Sequence, residues 1–356
     1  MRELERDRWL RRALPHLGSW IERAGLLGSI PPAERTLLHA ASLASAASAS
    51  RLRATLGPLG AACKAQGVAP LLLKGAALHG TLHATPAERA VSDADVCIAP
   101  SDRAALVRAL VTAGFEPDGL TAARLVDLER TAGRASALSD LIFRRHDGLG
   151  VPVEVKLDPV QVGVPLRRPT AFFDGAMPSP VYEGFLVPAP EPMAVQQALH
   201  LARHDGSDAL WFAELAHGVA RASATGRFDV ARARRILAGE GLDAVVRRVF
   251  EAARALFPGT IPPALVRGRG GPVPPILRAR PRSRARVDER RATLSLAAHH
   301  ALASGRWLVA ARSFWARLRP SDGYVAARMS LPTGVRVRPI DRARRLVRLL
   351  RLARAT

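Results

Sequence analysis

The sequence predicts an α/β protein of the α+β type, in which a small mixed sheet lies between an N-terminal and a C-terminal helical region. Three observations predict this class. Apolar residues recur at helical spacing up to residue 67, short apolar runs bounded by turn signals follow up to residue 157, and helical spacing returns at residue 193. With 356 residues, of which 48% are apolar, the chain is long enough to bury two or three packed units.

The first region, residues 1–67, is predicted to be mostly helical. Its apolar positions recur at intervals of three and four, and the pair Pro31-Pro32 marks a boundary. Residues 40–56 are rich in alanine and leucine. We expect Gly57-Pro58 to interrupt this helix, because proline lacks the N–H that a helix interior uses.

The second region, residues 68–190, is predicted to hold the sheet, because its apolar runs are short and turn residues bound them. It ends in a proline-rich loop, residues 159–192. The predicted elements are a strand in residues 68–73, a helix to about residue 83, a strand in 91–98, a helix over 103–113 capped by Ser101 or Asp102 and ended by Gly114, and a hairpin of residues 139–145 and 151–157.

The remaining chain is predicted to be a helical domain, residues 191–257, followed by a crossing rich in proline, glycine and arginine and by basic C-terminal helices, residues 258–356. The predicted helices cover residues 193–204, 209–222, 229–240, 242–256 and, at the C-terminus, 341–353.

The positive charge of the chain is concentrated at its C-terminal end. The chain carries 53 basic and 31 acidic residues, a net charge of +22, and residues 267–356 account for +18 of it. The basic final helix has an apolar side, so it can pack on the body of the protein, lie on an anionic membrane or support a nucleic-acid acceptor. Packing on the body is the usual role of such a helix, and the charge alone does not select a partner.

Cysteine content and targeting signals predict a location in the cytoplasm. Two cysteines, Cys63 and Cys97, cannot form a disulfide framework, which favours a reducing compartment. The N-terminal residues alternate charged and apolar side chains unlike a signal peptide, and no apolar run approaches the roughly 20 residues of a membrane span.

Asp93 and Asp95 form the first candidate site. On a strand, carboxylates two residues apart project from the same face, and here they stand among apolar neighbours. Two adjacent negative charges repel each other unless a cation neutralises them. A divalent metal such as Mg²⁺, or Mn²⁺ in its place, satisfies both carboxylates, whereas the alternative is an exposed edge strand with solvated acids.

Glu154 and Lys74-Gly75 extend this site. Glu154 stands alone in an apolar strand, and three carboxylates on two strands can hold two metal ions; the alternative is a surface position paired with Lys156 or with an arginine on a neighbouring strand. Lys74-Gly75 follows a strand and precedes a helix, where glycine permits close approach of a phosphate and lysine supplies charge; the alternative is an ordinary turn with a solvated lysine.

His200 and His204 form a second candidate metal site, since two histidines four residues apart on a helix can chelate zinc. No glutamate follows the first histidine and the sequence offers no third ligand. A histidine pair packed in the interior beside Trp211 is the favoured interpretation.

These residues together resemble the uncharacterised bacterial nucleotidyltransferase family of the DNA polymerase beta superfamily. The sequence departs from that family at three places: Lys156-Leu157 stands where His-Trp is usual, Glu214 where Asp is usual, and Ala94 where a larger aliphatic residue is usual. The resemblance is strongest over residues 68–116 and rests on residues 72–78 (LLKGAAL), Arg89, residues 92–96 (SDADV) and 114–115 (GF), with weaker similarity in residues 200–204, 211–215, 319–321, Tyr324 and Arg328.

The resemblance implies a nucleotidyltransferase fold, with residues 68–190 as its core. It implies that an acceptor hydroxyl attacks the α-phosphate of a nucleoside triphosphate and releases pyrophosphate. Asp93 and Asp95 would bind both metal ions, and Glu154 would bind the catalytic one. The residues expected to position the triphosphate are Lys74, Gly75, Arg89 and Ser92. The acceptor is a small molecule, a protein side chain or an RNA end.

The alternative is a protein that kept the fold and lost turnover. It would bind nucleotides or act as a scaffold, with its basic tail bound to a polyanion such as nucleic acid or anionic membrane. Loss of a metal ligand is the simplest way to lose activity, so the presence of all three carboxylates favours the enzyme.

Overall fold

A seven-stranded mixed sheet forms the centre of the protein, as a computed structural model shows it. The structure describes residues 8–117, 142–160, 166–204, 209–267, 289–309, 311 and 338–341. The strands lie in the order β3-β4-β5-β2-β1-β7-β6. They are β1 (Leu71–Leu72), β2 (Ala94–Cys97), β3 (Phe115–Pro117), β4 (Ile142–Arg145), β5 (Val153–Lys156), β6 (Met177–Pro178) and β7 (Leu186–Val187).

Ten α-helices precede, interrupt and follow the sheet within the described residues. Short 3₁₀ turns, among them Pro86–Glu88, lie between them. The helices are α1 (Arg8–Arg23), α2 (Pro32–Ala65), α3 (Lys74–Leu78), α4 (Arg103–Thr112), α5 (Pro190–Arg203), α6 (Ala209–Ala224), α7 (Val230–Ile236), α8 (Asp243–Leu256), α9 (Pro263–Val266) and α10 (Glu289–Ala303). The predicted class, a mixed sheet flanked by helical regions, is confirmed.

Parallel pairing at the centre of the sheet brings the two acidic strands together. β2 runs parallel to β5, with Asp95 opposite Glu154, and antiparallel to β1. The predicted hairpin is confirmed in its described part, where β4 pairs antiparallel with β5. The pair β6–β7, which lies in the region predicted as a proline-rich loop, extends the sheet beyond β1.

The sheet separates two apolar cores. One face packs against α2 and α4, and includes Val96 and Val153. The other face packs against the C-terminal helices, and includes Leu71 and Cys97. Successive residues of a strand point to opposite faces of the sheet. The strand residues that alternate with Val96 and Val153 therefore point to the second face.

The predicted interruption at Gly57-Pro58 is wrong: α2 continues through it to Ala65, with Pro58 inside. Leu52, Leu56 and Leu59 on this helix are fully buried against the sheet. Burial of large aliphatic side chains is worth roughly 1.5–3 kcal/mol each, which outweighs the hydrogen bond that proline removes.

Two further predictions about helices need correction. The helix predicted to about residue 83 ends at Leu78 and gives way to turns. Asp102 occupies the N-cap position of α4 as predicted, but its side chain makes no capping hydrogen bond and accepts from the Ser101 hydroxyl. Gly114 ends α4 as predicted, with a φ of +76°.

Part of the basic tail lies outside the described residues. This holds for Tyr324, Arg328, residues 319–321 and most of the predicted final helix, residues 341–353. Within the described residues, the helices are too short or too polar to cross a membrane.

Candidate active site

Strand alternation places three charged residues on the sheet face that meets the C-terminal helices. Ala94 and Val96 on β2, with Val153 and Val155 on β5, fill the core that packs against α2. Asp95, Glu154 and Lys156 therefore project from the opposite face, near the start of β2 and along β5. A one-residue shift in the β2–β5 register would separate Asp95 from Glu154.

The three predicted carboxylates converge. Asp93 lies just before β2, and one ligand oxygen from each of Asp93, Asp95 and Glu154 lies within 4.8 Å of the others. Asp95 is almost fully buried, with 3% of its surface exposed, while Glu154 is 30% exposed at its side chain. The Ser92 hydroxyl donates to Asp93 Oδ1 at 3.0 Å. The site is therefore buried at Asp95 and open to solvent at its rim, which Glu154 and Ser92 form.

Two lysines balance the negative charge of the cluster. Lys74 Nζ lies 2.8 Å from Asp95 Oδ1, and Lys156 Nζ lies 3.5 Å from the same oxygen. Lys156 Nζ also forms a short ion pair with Glu154. Lys156 is buried and Lys74 is partly exposed, so only Lys74 is placed to exchange its partner for a bound ligand.

The Lys74-Gly75 junction is locally strained. Lys74 has a φ of +52°, a value that no other non-glycine residue adopts in the described part of the chain. This conformation costs a lysine on the order of 1 kcal/mol. It follows directly on β1, where the Leu73 N–H donates to the Asp95 carbonyl at 3.0 Å. Pairing of β1 with β2 thus fixes Lys74 beside the carboxylates.

Gly75 is required by packing as well as by any ligand. A Cβ at this position would lie 2.9 Å from Val91 Cγ2 and 3.4 Å from the Arg89 guanidinium. The first distance is too short for a side chain unless Val91 shifts, whereas the second is close to ordinary contact. The predicted role of Gly75 toward phosphate stays a prediction.

Arg89 is buried and held by α6. Its Nε donates to Glu214 Oε1 at 2.7 Å, and its Nη1 donates to the Ala90 carbonyl. Burial alone would raise the pKa of Glu214, but the charge of Arg89 and a hydrogen bond from His83 outweigh it and hold the pKa at about 2. Arg89 contacts the site as a fixed cation, and its predicted contact with triphosphate stays a prediction.

A cavity of about 290 Å³ opens beside the carboxylates, between the sheet and α5. Gln197 lines it, and its buried Nε2 has no hydrogen-bond partner among the described residues. The other residues that border it include Lys74, Asp93, Asp95, His200, His204 and Trp211.

His200 and His204 are packed as the favoured interpretation predicted. Their ring centroids lie 4.5 Å apart and 4.4 and 5.1 Å, respectively, from that of Trp211. Burial and neighbouring charges, Lys74 among them, lower the pKa of His200 well below its usual value, so the ring is neutral. Among the described residues they belong to no group of three metal ligands.

The donor set of the cluster fits a hard divalent cation. Three carboxylates supply oxygen ligands, which Mg²⁺ and Mn²⁺ prefer, and no histidine or cysteine lies among the three. A rim that is partly exposed leaves room for phosphate oxygens and water. The residues that would hold the ion are Asp93, Asp95 and Glu154.

Sequence reasoning missed three features of the site. The sequence offered an ion pair between Lys156 and Glu154 only as an alternative, and the structure shows this pair together with an unpredicted contact between Lys156 and Asp95. Glu214 and Gln197 were not assigned any role, although one holds Arg89 and the other lines the cavity. Apart from the Lys156–Glu154 pair, these contacts join residues that are far apart in the sequence, which no local pattern reveals.

Comparison with known proteins gives one match. A family model described as an uncharacterised nucleotidyltransferase matches residues 10–258. No curated protein and no solved structure matches the chain.

Proposed function

The chain belongs to the uncharacterised nucleotidyltransferase family, and from that premise we propose that it moves a nucleoside monophosphate from a nucleoside triphosphate to an acceptor hydroxyl, with release of pyrophosphate. The reaction would depend on Mg²⁺ or Mn²⁺. The acceptor class, whether small molecule, protein or RNA end, is left to experiment.

The convergence of three carboxylates carries the proposal. Asp93, just before β2, and Asp95, on β2, are far from Glu154 in the sequence, and the pairing of β2 with β5 brings one oxygen from each within 4.8 Å of the others. Lys74 and Lys156 already offset part of the negative charge, so burial alone does not require a metal, but three carboxylates this close together supply the oxygen ligands that a divalent cation prefers. The cluster therefore favours a binding role over a purely structural one.

The chain's own residues would position the substrate. Asp93, Asp95 and Glu154 would hold the divalent ion, which when bound neutralises phosphate charge and polarises the reacting oxygens. Lys74 would leave Asp95 for the triphosphate, a move that its partial exposure permits. Ser92, exposed at the rim, would donate to the same phosphates.

Two residues would act at a distance from the phosphates. Arg89 is held by Glu214, and its guanidinium lies next to Gly75. From this fixed position it would add positive charge near the phosphates. Glu154 would lie close to the acceptor hydroxyl and lower the barrier to its deprotonation.

A second function is favoured by one observation. Lys156 places an ammonium group against both Asp95 and Glu154, which is where a metal would bind. If that ammonium replaces the metal permanently, the protein binds nucleotides or acts as a scaffold without turnover. Metal binding by the wild-type protein separates the two functions.

The decisive experiment is a transfer assay with α-labelled triphosphates. Purified full-length chain is incubated with each nucleoside triphosphate, with Mg²⁺ or Mn²⁺, and with RNA, protein or metabolite fractions as acceptors. We expect label to enter one acceptor class only when metal is present. Asp93→Asn serves as the inactive control, because it removes one carboxylate ligand and keeps the shape of the side chain.

Two results would contradict the proposal. Metal-dependent transfer that persists unchanged in Asp93→Asn would show that the carboxylates are not the site. Failure of every triphosphate to bind or react would favour the scaffold.

The basic tail and the location belong to the same proposal. We propose that residues 267–356, which carry +18 net charge, add weak affinity for a polyanionic partner, and that the protein acts in the cytoplasm, where triphosphates are abundant. Binding of RNA or anionic liposomes should weaken steeply as salt rises. A flat response would contradict the tail's role.

A further inference from the structure

A second group of metal-ligating side chains lies apart from the three carboxylates and includes the neighbour of Arg89 in the sequence, Glu88. His16 on α1, His83 in the turns after α3 and Glu88 in the following 3₁₀ turn each offer one ligand atom, and these atoms lie within 4.8 Å of one another. His83 is fully buried and Glu88 is 6% exposed. The group shares no residue with Asp93, Asp95 and Glu154.

The hydrogen bonds of His83 leave one of its nitrogens free. His83 Nε2 lies 3.2 Å from Glu214 Oε1, which also accepts from Arg89. A carboxylate that accepts from a guanidinium has no proton to give, so Nε2 carries the hydrogen of that bond. In the neutral ring, Nδ1 then has a lone pair, and it is buried with no partner among the described residues.

His16 and Glu88 complete the set. His16 Nδ1 is also buried with no hydrogen-bond partner in the described part of the chain. The His16 and His83 rings meet edge to face, with centroids 4.9 Å apart. Glu88 Oε1 accepts from Arg23 at 2.7 Å, which leaves Oε2 directed at His83 Nδ1, 3.9 Å away. That separation is too long for a hydrogen bond.

Two unpartnered buried imidazole nitrogens beside a carboxylate are costly unless something binds them. Each unsatisfied buried polar atom costs roughly 1–3 kcal/mol. A tetrahedral zinc ion with bonds of about 2.0–2.1 Å brings its ligand atoms about 3.3 Å apart, so the His83–Glu88 pair, at 3.9 Å, needs only a small approach. The His83–Glu214 bond is the carboxylate–histidine arrangement that orients zinc ligands.

We propose that His16, His83 and Glu88 bind one Zn²⁺ ion through two imidazole nitrogens and a carboxylate oxygen, with one coordination position left for water. The ion joins α1 to the segment that carries Arg89, and Glu214 connects that segment to α6. Its role is to fix the N-terminal helix and Arg89, and it is separate from the divalent cation at the three aspartate and glutamate carboxylates.

The test measures zinc directly in the full-length protein. The protein is loaded with Zn²⁺, passed through a desalting column in excess Mg²⁺ and analysed for metal content. We expect about one retained zinc per chain in the wild type and in Asp93→Asn, and a loss of zinc affinity of at least ~10-fold in His16→Gln and in Glu88→Gln. His39→Gln, an exposed histidine on α2, is the matched control and should retain zinc.

Co²⁺ substitution supplies a readout that needs no variant. We expect the intense visible absorption of tetrahedral cobalt with nitrogen ligands in the wild type. Absence of retained zinc would overturn the proposal, as would a weak spectrum of octahedral, oxygen-bound cobalt. Zinc that is lost in Asp93→Asn and kept in His16→Gln would also overturn it, because the ion would then sit on the carboxylates of the other site.

Discussion

Lys156 places a positive charge against two of the three clustered carboxylates. Its side chain is almost fully buried, and its ammonium contacts Asp95 and Glu154. The sequence predicted the carboxylates, because acids in an apolar strand stand out by residue type. It offered the Lys156–Glu154 pair only as an alternative and did not predict the contact of Lys156 with Asp95, because that contact depends on the register between β2 and β5.

Replacing Lys156 tests the balance of charge. We expect Lys156→Met to bind Mn²⁺ several-fold more tightly than the wild type, because a competing positive charge is removed while the stem remains apolar. Titration of free Mn²⁺ against each protein measures the effect. Lys64→Met is the matched control, since Lys64 is exposed and pairs with Glu183 far from the cluster. Weaker binding in Lys156→Met would contradict this reading of the site.

At the scale of elements, the junction of β1 and α3 positions the site. Lys74 and Gly75 were predicted as a strand-to-helix turn, and the turn is confirmed. The shortness of α3 was not predictable from apolar spacing, because its neighbours His79 and His83 are held by tertiary hydrogen bonds. The continuous α2 was missed for a similar reason, since packing outweighs the local cost of Pro58.

Two glycine substitutions separate packing from helix propensity. Gly75→Ala should lower the free energy of unfolding by about 1–3 kcal/mol, because its Cβ would collide with Val91. Gly57→Ala, on the exposed side of α2 with nothing within 4 Å, should raise it by roughly 0.5–1 kcal/mol. Urea unfolding of both variants and the wild type measures the difference. Equal stability of Gly75→Ala and wild type would contradict the close packing.

For the molecule as a whole, the sheet between two cores was predictable and its buried polar network was not. Composition and periodicity predict helices on both sides of a sheet. They do not predict that His79 is fully buried, where its Nε2 donates to the Arg89 carbonyl and its Nδ1 accepts from the Tyr182 hydroxyl. This network ties the turns after α3 to the loop before β7.

The network makes stability depend on pH. Burial lowers the pKa of His79 to about 4, whereas an unfolded histidine titrates near 6.5. As the pH falls from 7 to 5, the unfolded chain takes up the proton first, so stability is lost over this range, by roughly 2 kcal/mol from His79 alone.

Urea unfolding at pH 7 and pH 5 measures this loss. In His79→Gln the difference between the two pH values should shrink, since the amide can form both hydrogen bonds without titrating. Stability that is unchanged or higher at pH 5, or an equal difference in the variant, would contradict the assignment.

The most direct test of the central claim is which phosphorus of the triphosphate, α or γ, is transferred to the acceptor. Parallel reactions contain triphosphate labelled at the α- or the γ-phosphorus, with wild type or Asp95→Asn. We predict that the α label enters the acceptor and the γ label leaves as pyrophosphate, and that Asp95→Asn slows both by at least ~100-fold. Transfer of the γ label to the acceptor, or equal rates for wild type and Asp95→Asn, would contradict nucleotidyl transfer at these carboxylates.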